Sequence, residues 1–452
     1  MSHFPNPLHS PVFVERVCFL AESQYWSSER LAELQLRKLQ LLVRHVEYNV
    51  PFYRDFMRRE GFMWRDIASL QDLRRFPLID KKTIQEQPDA FRMDGAKVDQ
   101  LVHRTTGGST GTPLTVWADI DYVARDKANT EHYMQVFGLD VFSHRSVRLY
   151  GDRIDTDLID KGEFWKTEED RKLVMSPYHI NRDSAPGYVA AIDRHRPMYI
   201  HTRASAVLPL ARYIIEGRLW LEMPVRYIFC DGEFLTAGQR RLIEQAFQAR
   251  LVNVYGHTEG ALVGHPCRFS DTLHFMPQVG ILELLDAKGN EVSTPGAKGE
   301  MTATGFNNTV FPLIRYRTGD IAIQGEAGCA CGRNYRLIAE VEGRMQDYVV
   351  DANGNLVPLA PAIFNYNDMD WKGVREFKVL QEVRGLLSFL VEPEEEMRQR
   401  GDIALRQLCQ RVGAILGPNF QVSASFVDTL PKTAIGKYRY LDQRLNVQES
   451  FR

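Results

Sequence analysis

The sequence predicts an α/β protein: a large N-terminal domain, residues 1–343, with mixed or parallel sheets and a β-rich subdomain, followed by a small C-terminal α+β domain, residues 344–452. Three observations predict it. Between about 196 and 256 the residue period alternates between strand and helix, after about 278 short strand-like runs punctuated by Gly and Pro replace the helical signal, and from about 345 a compact unit of strands and one helix begins. With 452 residues, 44% apolar and 25% charged, the chain can build a substantial core, which excludes a single small module and wholesale disorder.

In chain order, Leu31, Leu34, Leu39, Leu42, Val43 and Val46 recur at helical spacing behind Ser27 or Ser28, either of which can accept the first free backbone N–H groups as an N-cap. This helix should stop near Asn49-Val50-Pro51, and PFYRDFMRREGF reads as a second, shorter helix with a packing role. MYIHT, ASAVLPLARYIIEG, VRYIFCDGE, TAGQRRLIEQAFQA and RLVNVYG then read as strand, helix, strand, helix, strand. Such alternation implies parallel strands with right-handed crossovers and places the residues after each strand at the carboxyl edge, where open α/β sheets bind ligands. Asp231-Gly232-Glu233 and Tyr255-Gly256-His257-Thr258-Glu259 land on that edge. GILELLD and GEMTATG form the β-rich part; FKVLQEV, LLSFLVEP, a helix from Met397 to about Leu416 and the strand QVSASFV precede a Lys-rich tail.

Lys and Arg total 56 against 58 Asp and Glu, a net charge of −2, so no global field holds nucleic acid or an acidic membrane. No run approaches the ~20 apolar residues that cross a bilayer. The N-terminal stretch, with Pro5, Pro7, Pro11 and Glu15, lacks the basic start and apolar run of a secretory signal, and the expectation is a soluble cytoplasmic protein, monomer or homodimer. Six cysteines are too sparse for a disulfide scaffold and suit reduced thiols or metal ligands. Among them Cys267 and His274, with Cys329 and Cys331, offer the three thiols and one imidazole that tetrahedral structural Zn²⁺ prefers. The other reading is buried small Cys side chains and a surface His; His265 and His257 stand close enough in sequence to replace His274.

Residues 105–113, TTGGSTGTP, pack three glycines and five hydroxyl residues into nine positions, a composition that suits phosphate oxygens and also an ordinary flexible loop. The loop is not a Walker motif, since Thr112 stands where that motif needs Lys. Together with YGHTEG at 255–260, YRTGD at 316–320, GRMQD at 343–347 and LPKTAIGKYR at 430–439, it resembles the ordered motifs of the adenylate-forming acyl ligase superfamily. QLRKLQLLVRHVEYNVPFYRDF and Cys329-Ala330-Cys331-Gly332-Arg333 narrow the resemblance to its phenylacetate–CoA ligase branch, over about residues 30–440.

The resemblance implies an enzyme that uses ATP and Mg²⁺ to convert a small carboxylic acid, aryl or arylacetic, into acyl-AMP and then transfers the acyl group to coenzyme A. An amine or carrier-protein thiol as acceptor, and a non-catalytic nucleotide-binding scaffold, are the alternatives. It implies Ser109, Thr110, Gly111 and Thr112 on the β- and γ-phosphates, Thr258 on the α-phosphate, Glu259 on Mg²⁺, Asp320 on both ribose hydroxyls, and Arg344 on ribose or phosphate. Asp231, Gly232, Glu233, Tyr255 and Gly256 would line the adenine and acyl pocket, for which Tyr150, Arg153, Phe229 and His257 are further candidates. Lys437 would be delivered by a mobile small domain to neutralise charge on the α-phosphate, and the family's charged hinge position is here Gln346. Some members of the branch hold Zn²⁺ at positions similar to the Cys/His set.

Overall fold

A computed structural model describes residues 6–105, 114–150, 152, 154–233, 235, 237–344, 348–359, 373–430 and 440–445. Helix α1 (Pro11–Ser23) leads into α2 (Ser28–Asn49), where Ser27 accepts Arg30 N–H at 3.3 Å as the N-cap and Leu31, Leu39, Leu42, Val43 and Val46 form the buried stripe. Pro51 ends α2 and opens α3 (Pro51–Glu60), which Gly61 closes at φ +72°. Helix α3 packs as the sequence suggests and also orients a distant strand. Tyr53, fully buried, donates its hydroxyl to Pro312 O at 3.2 Å and accepts Ile314 N–H at 3.0 Å. The next residue, Arg315, makes a fork to Glu283 at 3.0 and 2.9 Å and donates to Phe76 O at 3.1 Å. These bonds set the entry of the YRTGD segment.

After α4 (Lys81–Glu86), strands β1 (Val102–Thr105) and β2 (Thr115–Ala118) pair antiparallel on either side of residues 106–113, which lie outside the described residues. Helix α5 (Ile120–Val136) follows, capped by Asp119, whose carboxylate accepts Tyr122 N–H at 2.6 Å.

The centre is a sheet of twelve strands among the described residues. Its first half holds β3 (Ser146–Leu149), β4 (Trp165–Glu168), β5 (Lys172–Met175), β6 (Tyr199–Thr202), β7 (Tyr227–Asp231) and β8 (Arg250–Gly256). Strands β5, β3, β6, β7 and β8 run parallel in that spatial order, with β4 antiparallel on the outer edge. The interleaved helices are α6 (Thr156–Ile159), α7 (Ala185–His195), α8 (Ala204–Glu216) and α9 (Ala237–Phe247). Both faces are covered, as parallel strands require. Tyr188, Leu210, Ile214 and Phe247 pack on Val147, Ile200, Ile228 and Leu251, and on the other face Tyr133, Met134 and Phe137 pack on Tyr199, Phe229 and Val252.

The β-rich part is continuous with this sheet. From β8 it extends antiparallel through β9 (Val263–His265), β10 (Leu273–Phe275), β14 (Arg336–Arg344), β13 (Tyr316–Gln324), β12 (Lys298–Gly305) and β11 (Gly280–Leu285). Strand β8 is therefore shared: its parallel partner is β7 and its antiparallel partner is β9.

Toward the C-terminus, β15 (Tyr348–Val350) and β16 (Leu356–Pro358) form a hairpin. A separate sheet of β17 (Val374–Gln381), β18 (Leu386–Pro393), β19 (Gln421–Phe426) and β20 (Leu441–Gln443), ordered β19-β18-β17-β20, packs with α10 (Glu395–Leu416), which is kinked at Gly401. Val379, Phe389, Val391, Leu408 and Val412 make its core. No helix of the described residues is long and apolar enough to cross a membrane.

Because Arg315 and Glu283 are both under 10% exposed, replacing one leaves the other buried and charged. Arg315→Met should lower unfolding stability by about 3–5 kcal/mol in urea titrations.

Candidate active site

Strand β8 carries Tyr255 and Gly256 to the carboxyl edge of the parallel strands, and the turn beyond it holds His257, Thr258 and Glu259. Strand β13 brings Tyr316 and Asp320 alongside. Tyr255 Oη donates to Asp320 Oδ2 at 2.6 Å, and Tyr316 Oη donates to Glu259 Oε1 at 2.7 Å. The second oxygen of Glu259 accepts His257 Nδ1–H at 3.1 Å, while His257 Nε2 accepts Leu262 N–H at 3.2 Å. A backbone donor on Nε2 puts the ring proton on Nδ1, the nitrogen that faces the carboxylate. Burial alone would raise the Glu259 carboxyl; the hydrogen bonds from His257 and Tyr316 outweigh it and hold the group well below the usual carboxylate range. The site thus presents a buried acid, Asp320, and a half-buried acid, Glu259, each bonded by a tyrosine, an arrangement suited to a cation and to hydroxyl groups.

Asp320 lies directly opposite Arg344 in the β13–β14 ladder, so these two predicted residues share a register position; the Arg344 side chain lies outside the described residues. Thr258 is half-buried in the turn. Gly260, at φ +68°, admits α5: a Cβ built there would stand 1.6 Å from Tyr122 Oη. Ser109, Thr110, Gly111 and Thr112 of the glycine loop, Arg153, Gln346 and Lys437 lie outside the described residues.

Farther along the same edge, Asp231 ends β7. Its Oδ2 accepts His201 Nε2–H at 2.8 Å and its Oδ1 accepts the Tyr150 hydroxyl. Burial pushes the Asp231 carboxyl up, but the hydrogen bond and charge of His201 and the Tyr150 bond bring it below its ordinary value. The Arg203 guanidinium covers the Tyr150 ring at 4.1 Å. Gly232 turns the chain at φ +70°, and Glu233 accepts Ser205 N–H and Oγ–H, each at 2.8 Å, capping the α8 terminus that its own residues leave without a side-chain cap.

Two pocket candidates have neighbours that the sequence did not show. Phe229 is 1% exposed and packs among Tyr133, Phe137 and Tyr199 at centroid distances of 6.0, 5.6 and 5.9 Å, because it faces inward on a central strand. His257 is bonded to Glu259 and stacked on Tyr316, so it also holds the acid. Sequence reading passed over His201, although the same strand-end argument that picked Asp231 applies to MYIHT. The contribution of Tyr316 had no local signal, since its partner is 57 residues away.

The Cys/His set converges. Cys267, His274, Cys329 and Cys331 place one donor atom each within 4.8 Å of one another, with Cys267 Sγ 3.6 Å from Cys329 Sγ and Cys331 Sγ 3.3 Å from His274 Nε2. His274 Nδ1 donates to Thr272 O at 2.9 Å, which leaves Nε2 free to ligate. His265 turns its Nδ1 to Pro266 O and stands outside the set. The cluster lies at the far end of β8 from the acids: Arg250, the first residue of β8, donates to Cys267 O at 2.9 Å.

No family model matches the chain. It is 24% identical over 416 residues to protein CapK of Staphylococcus aureus, covering 91% of this chain and 88% of that one. It is 25% identical over 347 residues to phenylacetate-coenzyme A ligase of Thermus thermophilus and 26% over 360 residues to that of Pseudomonas putida, covering 73% and 74% of this chain and 74% of each relative. Among solved structures, 2-hydroxyisobutyryl-CoA ligase in the postadenylation state superposes with a TM-score of 0.70 at 18% identity, covering 99% of this chain and 95% of that one. An acyl acid amido synthetase in complex with 2,4-DB reaches 0.62 at 13% identity, covering 100% and 97%. The fold is shared with solved acyl-CoA ligase structures. In sequence the chain is similar to phenylacetate–coenzyme A ligases.

Gly260→Ala should lower stability by about 1–3 kcal/mol in denaturant titrations, through the Tyr122 clash and the left-handed φ. In a Tyr122→Phe background, where the offending oxygen is gone, part of the loss should be recovered.

Proposed function

We propose that this chain adenylates a small carboxylic acid of aryl or arylacetic type with ATP and passes the acyl group to coenzyme A. The observation that carries the reading is the meeting, at the sheet edge, of the 255–259 and 316–320 segments with their acids Glu259 and Asp320. In the first half-reaction the acid's carboxylate oxygen attacks the α-phosphorus of ATP and pyrophosphate leaves. In the second, a thiolate attacks the acyl carbon and AMP leaves. The first step brings an anion against a polyanion, so fixed positive charge and N–H dipoles must meet the phosphates.

In this reading Ser109, Thr110, Gly111 and Thr112 take the β- and γ-phosphates, Thr258 the α-phosphate, and Asp320 the two ribose hydroxyls, with Arg344 beside it. Glu259 is ionised and has lone pairs left on both oxygens, which fits Mg²⁺ held by one carboxylate plus phosphate and water; bound there, the ion would offset phosphate charge. Lys437, on a C-terminal unit that rotates about residues near Gln346, supplies a cation for adenylation and then withdraws. The edge from Tyr150 to Asp231 lines the acid and adenine pocket.

The Cys267, His274, Cys329 and Cys331 donors fit Zn²⁺. Zn–S bonds of about 2.3 Å give tetrahedral edges of about 3.8 Å, near the 3.6 and 3.3 Å separations of the paired donors. With four protein ligands the ion would be a cross-link between the turn after β9 and the loop before β14, without a site for reactive water.

The acyl acid amido synthetase, whose structure the whole chain matches, favours an amine acceptor as the second reading. Acid-dependent ATP–pyrophosphate exchange over a panel of aryl, arylacetic and aliphatic acids, followed by comparison of coenzyme A with amines as acceptors, tests both. Exchange with an arylacetic acid and thioester formation are expected; no exchange with any acid would overturn the reading, and transfer to amines alone would replace the acceptor. Lys437→Ala should cut adenylation by orders of magnitude while a supplied acyl-adenylate still reacts with coenzyme A, and equal loss of both halves would refute the divided role. Elemental analysis should find about one Zn²⁺ per chain, with Cys331→Ser losing the ion and much of the thermal stability.

A further inference from the structure

The hydrogen bonds between the two acidic segments are exchanged. Each segment begins with a tyrosine and ends, four residues later, with an acid: Tyr255 to Glu259, and Tyr316 to Asp320. Each tyrosine serves the acid of the other segment. Tyr255 bonds Asp320 at 2.6 Å and Tyr316 bonds Glu259 at 2.7 Å.

Both phenol rings are fixed from behind. Tyr316 is 2% exposed and lies parallel to the His257 ring, with centroids 6.5 Å apart and planes at 10°. Tyr255 packs on Phe275 at 5.4 Å. A ring held in this way cannot follow its acceptor, so the carboxylate takes the orientation that the phenol dictates. The two bonds also tie the end of β8 and the turn after it to the first half of β13, strands that are not neighbours in the sheet.

We infer that Tyr255 and Tyr316 form a reciprocal cross-brace and are positioning residues with crossed effects. Tyr255, in the segment of the metal-binding acid, orients the ribose-binding Asp320; Tyr316, in the segment of the ribose-binding acid, orients the metal-binding Glu259. This rests on the roles given to Glu259 and Asp320 under the proposed function. The brace holds the two ends of the nucleotide site at one separation, so ribose and metal–phosphate contacts form together.

The test uses full-length protein and the variants Tyr255→Phe and Tyr316→Phe, each of which removes a single oxygen. Calorimetric binding of AMP without metal reads the ribose end; Mn²⁺ affinity at saturating ATP, followed by electron paramagnetic resonance, reads the metal end. Tyr255→Phe should weaken AMP by about tenfold and leave Mn²⁺ within about twofold, and Tyr316→Phe should do the reverse, as expected for loss of one hydrogen bond to a charged group. The unaffected ligand in each variant reports that the fold is intact. Effects that follow each tyrosine's own segment, equal losses of both ligands in both variants, or no effect would overturn the brace. Asp320→Asn and Glu259→Gln separate the two levels. If these leave AMP and Mn²⁺ binding unchanged, the assigned roles of the acids fail; if they abolish binding while the phenylalanine variants bind normally, only the brace fails.

Discussion

A carboxylate can be buried at a sheet edge only if its oxygens find donors, and this constraint organises the site. Asp231, Glu259 and Asp320 each receive a phenolic hydroxyl, from Tyr150, Tyr316 and Tyr255 respectively. In every pair the tyrosine comes from a different segment than the acid, so satisfying the carboxylate also joins two parts of the chain. The choice of donor has a chemical consequence. An arginine in the same place would cancel the acid's charge, whereas a neutral phenol orients the oxygens and leaves the charge available for a cation or for ligand hydroxyls. Where the acid is structural, the chain uses a guanidinium instead: Glu283 is paired with Arg315, one residue before Tyr316.

The sheet explains why these pairs can form. Strand β8 has a parallel neighbour on one side and an antiparallel neighbour on the other, which makes the carboxyl edge of the parallel half continuous with the antiparallel half that supplies Asp320. Helices α3 and α5 set the remaining approach: Tyr53 of α3 holds the backbone just ahead of β13, and Tyr122 of α5 lies against the bare Cα of Gly260. The Cys/His cluster sits at the opposite end of β8, where Arg250, the first residue of the strand, bonds Cys267 O.

Local periodicity and capping made most of the fold legible. Ser27, the Leu31 to Val46 stripe and Pro51 specify α2 and α3 through interactions within a few residues, and the alternation from 196 to 256 specifies the parallel half. The Cys/His donors were legible because few residue types bind metal and their spacing is sparse. The neighbours of Phe229 and His257 were not legible: their place in the sequence says that they lie near a strand end but not which way they face or what they bond.

By itself, then, the sequence determined which segments become strands and helices, which residues carry acid, thiol and hydroxyl chemistry, and their order along the chain, since all of these depend on side-chain type and near neighbours. Only the tertiary structure decided that the sheet is continuous, that His265 stays out of the Cys/His cluster, and that the tyrosine of each acidic segment serves the acid of the other. The exchanged tyrosine bonds and the Cys/His cluster depend on contacts between residues more than fifty positions apart, and such contacts are set by how the sheet closes its register and buries its faces.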